Sequence, residues 1–211
     1  MSPRRTRAKD LRRKTGTRPV RKTIVIFCEG EASEPDYING LKNLPQVRRR
    51  TSVQIEIDPG HGVPLTLVRR AVERATDPEV DECWCVFDVE WPKHHPNLAQ
   101  AIDLATTHGI KLAVSNPCFE LWLILHTRDQ YGHLDTKTCE SRSRAIDNRT
   151  GKRLDPNFYL KLRAQAIRRA RKLTERHRGD RTAFPHDNPS TGFHELVMAI
   201  DPTALETGTD R

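Results

Sequence analysis

Hydrophobic and polar positions along the chain fall into blocks. Thr23-Ile24-Val25-Ile26-Phe27-Cys28 is a continuous apolar run that stops at Glu29-Gly30, and Cys83-Trp84-Cys85-Val86-Phe87 stops in the same way at Asp88-Val89-Glu90. Short apolar runs without polar alternation predict strands buried on both faces, as in a parallel sheet. Val53 to Ile57 alternates and predicts a second strand, while Ile110 to Val114 predicts a fourth. Between these runs the apolar period shifts to about 3.6 residues. A helix is expected over 35–44 with Tyr37, Ile38 and Leu41 inward, opened by Ser33-Glu34-Pro35. Another over 64–76 carries Val68, Ala71, Val72 and Ala75 on one face, with Arg69, Arg70, Glu73 and Arg74 largely opposite. A third over 97–107 buries Leu98, Ala101, Ile102 and Ala105 and ends at Gly109. Strands alternating with three-turn helices predict an α/β fold, a mostly parallel four-stranded sheet flanked by helices.

Past residue 126 the pattern weakens. Residues 127–155 are polar with few apolar anchors and read as a mobile insertion in which Arg142, Arg144 and Arg149 stand either as solvated loop residues or within reach of a polyanion. One long helix is expected over 156–178, with Tyr159, Leu162, Ala166, Ala170 and Leu173 as a narrow apolar stripe. Asn188-Pro189 reads as a helix opening that leads into 194–200, and 201–211 as a frayed end. The expected organisation is a basic tail (1–22), an α/β core (23–126), an insertion with a C-terminal helical extension (127–200), and the frayed end.

The candidate chemistry lies where the first and third strands stop. Side chains two apart on a strand share a face, which would bring Asp88 and Glu90 together. If the two strands are neighbours, Glu29 joins them in the crevice beyond the carboxyl ends of the sheet, where open α/β sheets place their sites. Like charges at that range raise one another's pKa, and a divalent cation relieves them. Hard carboxylate oxygens suit Mg²⁺, with Mn²⁺ as a second possibility. Supporting candidates are Glu31 in the turn after Glu29, His61 in the Asp58-Pro-Gly60-His61-Gly62 loop, and Asn116 and Glu120 in Ser115-Asn116-Pro117-Cys118-Phe119-Glu120. His61 stands either at the site mouth or as a solvated loop residue. Asn116 and Pro117 match an N-cap and first helical position, with Glu120 in the first turn. The Gly30 turn lacks the Gly and Lys pattern of a phosphate-binding P-loop.

Charge is uneven. Residues 1–22 hold ten Lys/Arg and one acid, which leaves 26 basic and 27 acidic residues elsewhere and accounts for the net +8. A tail of this composition is expected to be disordered when free and to serve phosphate contact or partner docking, with Arg4, Arg5, Arg12 and Arg13 among its cations. Arg168, Arg171 and Lys172 give the 156–178 helix a basic face that could track a nucleic-acid backbone, but few aromatics lie nearby to stack on bases. No apolar run reaches a membrane span, and the five cysteines are odd in number and mostly within or beside apolar runs. A cytoplasmic protein with buried thiols is expected.

Four pieces of sequence together resemble the RloB-like family of bacterial proteins. They are Cys28-Glu29-Gly30-Glu31 with Glu34-Pro35 and Tyr37; Phe87-Asp88-Val89-Glu90; Ser115-Asn116-Pro117-Cys118-Phe119-Glu120-Leu121-Trp122; and Asn188-Pro189-Ser190-Thr191. The resemblance implies a variant of the Toprim fold, in which a Glu after the first strand and a DxD after the third hold Mg²⁺. It assigns those metal and catalytic roles to Glu29, Asp88 and Glu90, the last a Glu where Asp is expected. It further implies a metal-dependent nuclease acting on DNA or RNA in anti-phage defence or abortive infection, with a separate ATPase partner of the AAA or ABC type. The rival reading is a non-catalytic nucleic-acid-binding or sensor subunit of such a complex.

Overall fold

The computed structural model describes residues 22–49 and 53–206. The basic tail with Arg4, Arg5, Arg12 and Arg13 lies outside the described residues, as do residues 207–211. In chain order the elements are β1 (Lys22–Cys28), α1 (Ser33–Lys42), α2 (Pro45–Arg49), β2 (Val53–Ile57), α3 (Pro64–Arg74), β3 (Glu82–Asp88) and α4 (Leu98–His108). They continue with β4 (Lys111–Asn116), α5 (Glu120–Thr127), α6 (Thr136–Asp147), α7 (Pro156–Leu160), α8 (Arg163–Gly179), β5 (Ser190–Thr191) and α9 (Phe193–Ile200).

The apolar runs are strands for the reason their composition suggests: both faces of the sheet are covered. Ile24, Ile26 and Cys28 of β1, with Trp84 and Val86 of β3, pack against Tyr37, Ile38 and Leu41 of α1 and against apolar residues of α5, α8 and α9. The alternate residues Val25, Phe27, Cys83, Cys85 and Phe87 pack under Leu67, Val68 and Ala71 of α3 and Leu98, Ala101 and Ala105 of α4. Gly109 closes α4 at φ 67°, a backbone that L side chains resist.

Strand order is β2-β1-β3-β4-β5, with β1 parallel to β2 and β3, and β3 parallel to β4. From β1 the chain steps outward to β2, then crosses back to β3 on the other side. The switch point of this α/β sheet therefore lies between the carboxyl ends of β1 and β3. The architecture is consistent with a Toprim-like α/β fold. No described helix is long and apolar enough to cross a membrane.

Five expectations change. The sheet has a fifth strand, since Ser190–Thr191 pairs antiparallel with Ser115 and Asn116. Neither Asn-Pro opens a helix. Asn116 ends β4 and donates to Pro185 O and to Asp187 Oδ1, both at 3.0 Å, while Asn188 Nδ2 donates to Asn116 Oδ1 at 3.1 Å and to Leu134 O at 2.8 Å. Asn116 is buried, and its amide takes these tertiary partners in place of a cap.

The 127–155 stretch carries a packed helix: Asp135 caps α6 by accepting from Thr138 N at 2.7 Å, and Cys139 and Ser143 are buried. The helix expected over 156–178 is two. Arg163, at the start of α8, is buried; it donates to Leu160 O at 2.9 Å and pairs with the buried Asp201 at 3.1 Å. That bond and the burial of Ala204 hold residues 201–206, where fraying was expected.

Candidate functional site

β1 and β3 end side by side, and Glu29 ties them together. Its backbone N–H donates to Val86 O, and its Oε2 accepts the Asp88 N–H, each at 3.0 Å. Asp88 is the last residue of β3, in register with Ser115 of β4. Pairing continues beyond the strand, with Val89 N donating to Ser115 O and Glu90 N to Pro117 O at 2.9 Å. Glu90 then turns at φ 65°, off the strand and in the left-handed region. The expected strand alternation is thus not what brings Asp88 and Glu90 together. The turn does so.

Glu34, second residue of α1, is buried, and its carboxylate fills the space a Cβ at position 30 would need. A Cβ there would have to displace the Glu34 carboxylate. Glu120, first residue of α5, points into the same space. Together Glu29, Glu31, Glu34, Asp88, Glu90 and Glu120 line one cavity of about 180 Å³, closed on its other side by Thr136 and Glu140 of α6 and by Lys152.

The charges in this cavity oppose one another. Asp88 Oδ1 is shut off from solvent and has no hydrogen-bond partner. Burial, then Glu34, Glu120 and Glu29, push its carboxyl well above the usual range, against the Phe119 N–H. Burial raises Glu34 to about 7; Glu120 and Glu29 add to this, while its own N–H and that of Gly30 oppose it. Glu29 is also raised, chiefly by burial, against the Asp88 N–H and His95. His95 Nε2 lies 2.7 Å from Glu29 Oε1, a close approach without hydrogen-bond alignment. Arg149 Nη2 stands 3.7 Å from Glu120 Oε1 while held by Asp147 and Ser143.

Like charges under low exposure hold protons unless a cation neutralises them. Among the described residues no group of three or more His, Cys, Asp or Glu is arranged to hold a metal ion. The donor chemistry nevertheless suits a hard divalent cation: carboxylate oxygens from three elements face one space, and one of those oxygens is unpartnered.

Of the residues singled out from sequence, Glu29, Asp88, Glu90, Glu31 and Glu120 meet at this cavity. His61 does not line it. Exposed, it pairs with Glu31 at 3.0 Å and lines an adjoining cavity that shares Gly30 and Glu31. Asn116 is turned to the Pro185–Asn188 segment and does not line the cavity either. Arg168, Arg171 and Lys172 are exposed on α8, outside the cavity lining. Arg149, expected in a loop open to a polyanion, is committed to Asp147, Ser143 and Glu120.

Sequence reasoning missed the place of Glu34, His95 and Lys152 at the site and gave Arg149 a different one. Glu34 carried a signal, an acid one turn past Glu29, which helix-start chemistry also explains. The other three sit in irregular or polar stretches with no periodicity to read.

No curated protein and no solved structure matches the chain. The family model described as RloB-like protein matches residues 24–200, a span that runs from β1 through α9 and includes every carboxylate of the cavity, and the chain belongs to the RloB-like family.

Proposed function

We propose that the carboxylate cavity is the active site of a Mg²⁺-dependent phosphodiester hydrolase acting on DNA or RNA, with Mn²⁺ as a substitute. The observation that carries this reading is the unpartnered, solvent-shielded Asp88 Oδ1 among Glu29, Glu34, Glu90 and Glu120 at the switch point of the sheet. Glu29, Asp88 and Glu90 would hold the metal. When bound, Mg²⁺ supplies positive charge against phosphoryl oxygens and acidifies water at neutral pH. The protein's own part is positioning. Glu29 is fixed by the Asp88 N–H and flanked by His95, so its carboxylate has one orientation at the cavity wall. Lys152 on the opposite wall offers a cation to a phosphate, and Arg149 offsets Glu120. The basic tail and the α8 cations Arg168, Arg171 and Lys172 supply longer-range attraction for a polyanion.

A role in anti-phage defence beside a separate ATPase of the AAA or ABC type rests on family resemblance alone. Co-purification of an ATPase with the tagged chain tests that part.

Cleavage of a labelled oligonucleotide in Mg²⁺ tests the hydrolase. Asp88→Ala is expected to lower the rate by about 10²–10³-fold, the scale of losing one electrostatic anchor. Equal cleavage by the parent and the variant overturns the assignment. Oligonucleotide binding that survives Asp88→Ala, together with no Mg²⁺ uptake and no cleavage, marks a non-catalytic sensor subunit instead.

A further inference from the structure

Five large apolar side chains are exposed among the described residues: Val63, Trp91, Tyr131, Phe158 and Phe184. Trp91 differs from the other four in its attachment to the carboxylate cavity. It follows Glu90 directly in the chain. Its N–H donates to Thr136 Oγ1 at 2.9 Å, and its carbonyl accepts the Thr136 N–H at 3.1 Å. Glu90 and Thr136 both line the cavity, so the backbone of Trp91 is anchored directly beside it.

Two imidazoles brace the ring. His94 lies 5.4 Å away at an interplanar angle of 52°, and His133 lies 5.2 Å away at 81°. Neither lies parallel to the indole, and Trp91 remains 37% exposed. Single exposed aromatics are common on protein surfaces, and what sets Trp91 apart is its place directly after Glu90, beside the carboxylate cavity. Lys93 beside it adds a cation. Two residues before His133, Tyr131 is also exposed, with the Arg176 guanidinium 5.7 Å from its ring centre. Tyr131 thus sets a second exposed aromatic ring beside the basic helix α8.

We propose that Trp91 is a stacking platform for an unpaired nucleobase next to the phosphate seated in the carboxylate cavity, which makes single-stranded or locally opened nucleic acid the substrate class. The proposal rests on the reading of the cavity as a phosphodiester site. In a paired duplex each base is already stacked on its neighbours and offers no free face to the indole. An unpaired base does, whatever its identity, and loss of one such stack weakens binding about 5- to 150-fold.

The test uses the full chain carrying Asp88→Ala, so that binding is read without cleavage. Single-stranded oligodeoxythymidine, single-stranded oligouridine and a duplex of equal length are titrated while tryptophan emission is followed. Trp84 and Trp122 are buried, so quenching by a bound base reports on Trp91. Either single strand is expected to quench the emission and to bind more tightly than the duplex, and comparison of the two separates DNA from RNA. Added Trp91→Ala is expected to weaken single-strand binding by at least about fivefold, with duplex binding unchanged, while Trp91→Phe retains most of the affinity and loses the quench.

Equal single-strand affinity with and without Trp91, or no quench, overturns the platform even if Trp91→Ala lowers the melting temperature. The hydrolase reading fails separately, by absence of Mg²⁺-dependent cleavage in the chain with Asp88 intact. Trp91-dependent single-strand binding would survive that failure.

Discussion

At the scale of single residues, the site is built from positions that local preference disfavours. Glu90 adopts φ 65°, a conformation that costs a non-glycine residue roughly 1–2 kcal/mol. Its backbone is held there by the bond from its N–H to Pro117 O, and its charge acts on Glu29 across the cavity. Fold stability alone gives no reason for a carboxylate at this turn. Glu90→Gly removes both the conformational strain and one repelling charge, against about 0.5–1 kcal/mol for the added freedom of the unfolded chain. The variant is expected to equal or exceed the parent in urea unfolding while losing Mg²⁺-dependent cleavage. A loss of stability above about 1 kcal/mol would mean that the Glu90 side chain supports the fold, and would remove it from the proposed site. Asp88 and Glu29 were legible in the sequence because each ends an apolar run. That Glu90 reaches the same cavity was expected on strand alternation and happens instead through a left-handed turn, which composition does not announce.

At the scale of elements, α1 and α5 are joined through a buried polar chain that titrates. His126 Nδ1 lies 2.8 Å from Trp122 O, and a carbonyl only accepts, so the proton sits on Nδ1. Nε2 is then the acceptor for the Tyr37 hydroxyl at 3.0 Å. Burial drives His126 down to about 3, because the protonated ring would be desolvated; the Arg169 charge acts the same way, and bonds to the Trp122 and Leu123 backbone oppose it. The unfolded chain takes up this proton near pH 6.5 and the native one does not. Stability from His126 is therefore complete above about pH 6.5 and is lost progressively as pH falls toward 3, by roughly 2 kcal/mol at pH 5. Raised carboxyls such as Glu34 act in the opposite direction, since the native state then holds the extra proton. The comparison that isolates His126 is the parent against His126→Gln by urea unfolding. The stability gap between them is expected to shrink by about 2 kcal/mol from pH 8 to pH 5, and a constant gap refutes the assignment. Elements with two buried faces or a clear stripe, β1, β3, α3 and α4, could be read from the sequence. α6 could not, because Cys139 and Ser143 are the residues it buries and polar bonds through Asp135 and Arg149 hold it. The Asn-Pro pairs misled for a related reason: an amide that caps a helix in isolation finds better partners on a crossing segment in the fold.

At the scale of the whole molecule, charge is divided between a nearly neutral body and one strongly basic end. With ten cations in residues 1–22, the remaining 26 basic and 27 acidic residues leave almost no net charge for long-range attraction. A cavity dense in carboxylates repels a polyanion until it is neutralised, so productive approach of nucleic acid needs positive potential from elsewhere in the chain. The tail is the largest single source of it. If it contacts phosphates, the logarithm of the binding constant falls with the logarithm of salt by about 0.7 per contact on single strands and about 0.9 on duplex. Removing residues 1–21 is expected to weaken binding of both single strands and duplex and to flatten the salt slope by at least about two units, equivalent to three contacts on a single strand. Preference for single strands is expected to persist, because the proposed base contact belongs to Trp91 in the folded body. Fluorescence titrations of the shortened chain across a salt series check both outcomes. An unchanged slope would assign the tail to a protein partner, and steering of nucleic acid would then fall to α8 and its exposed Arg171 and Lys172.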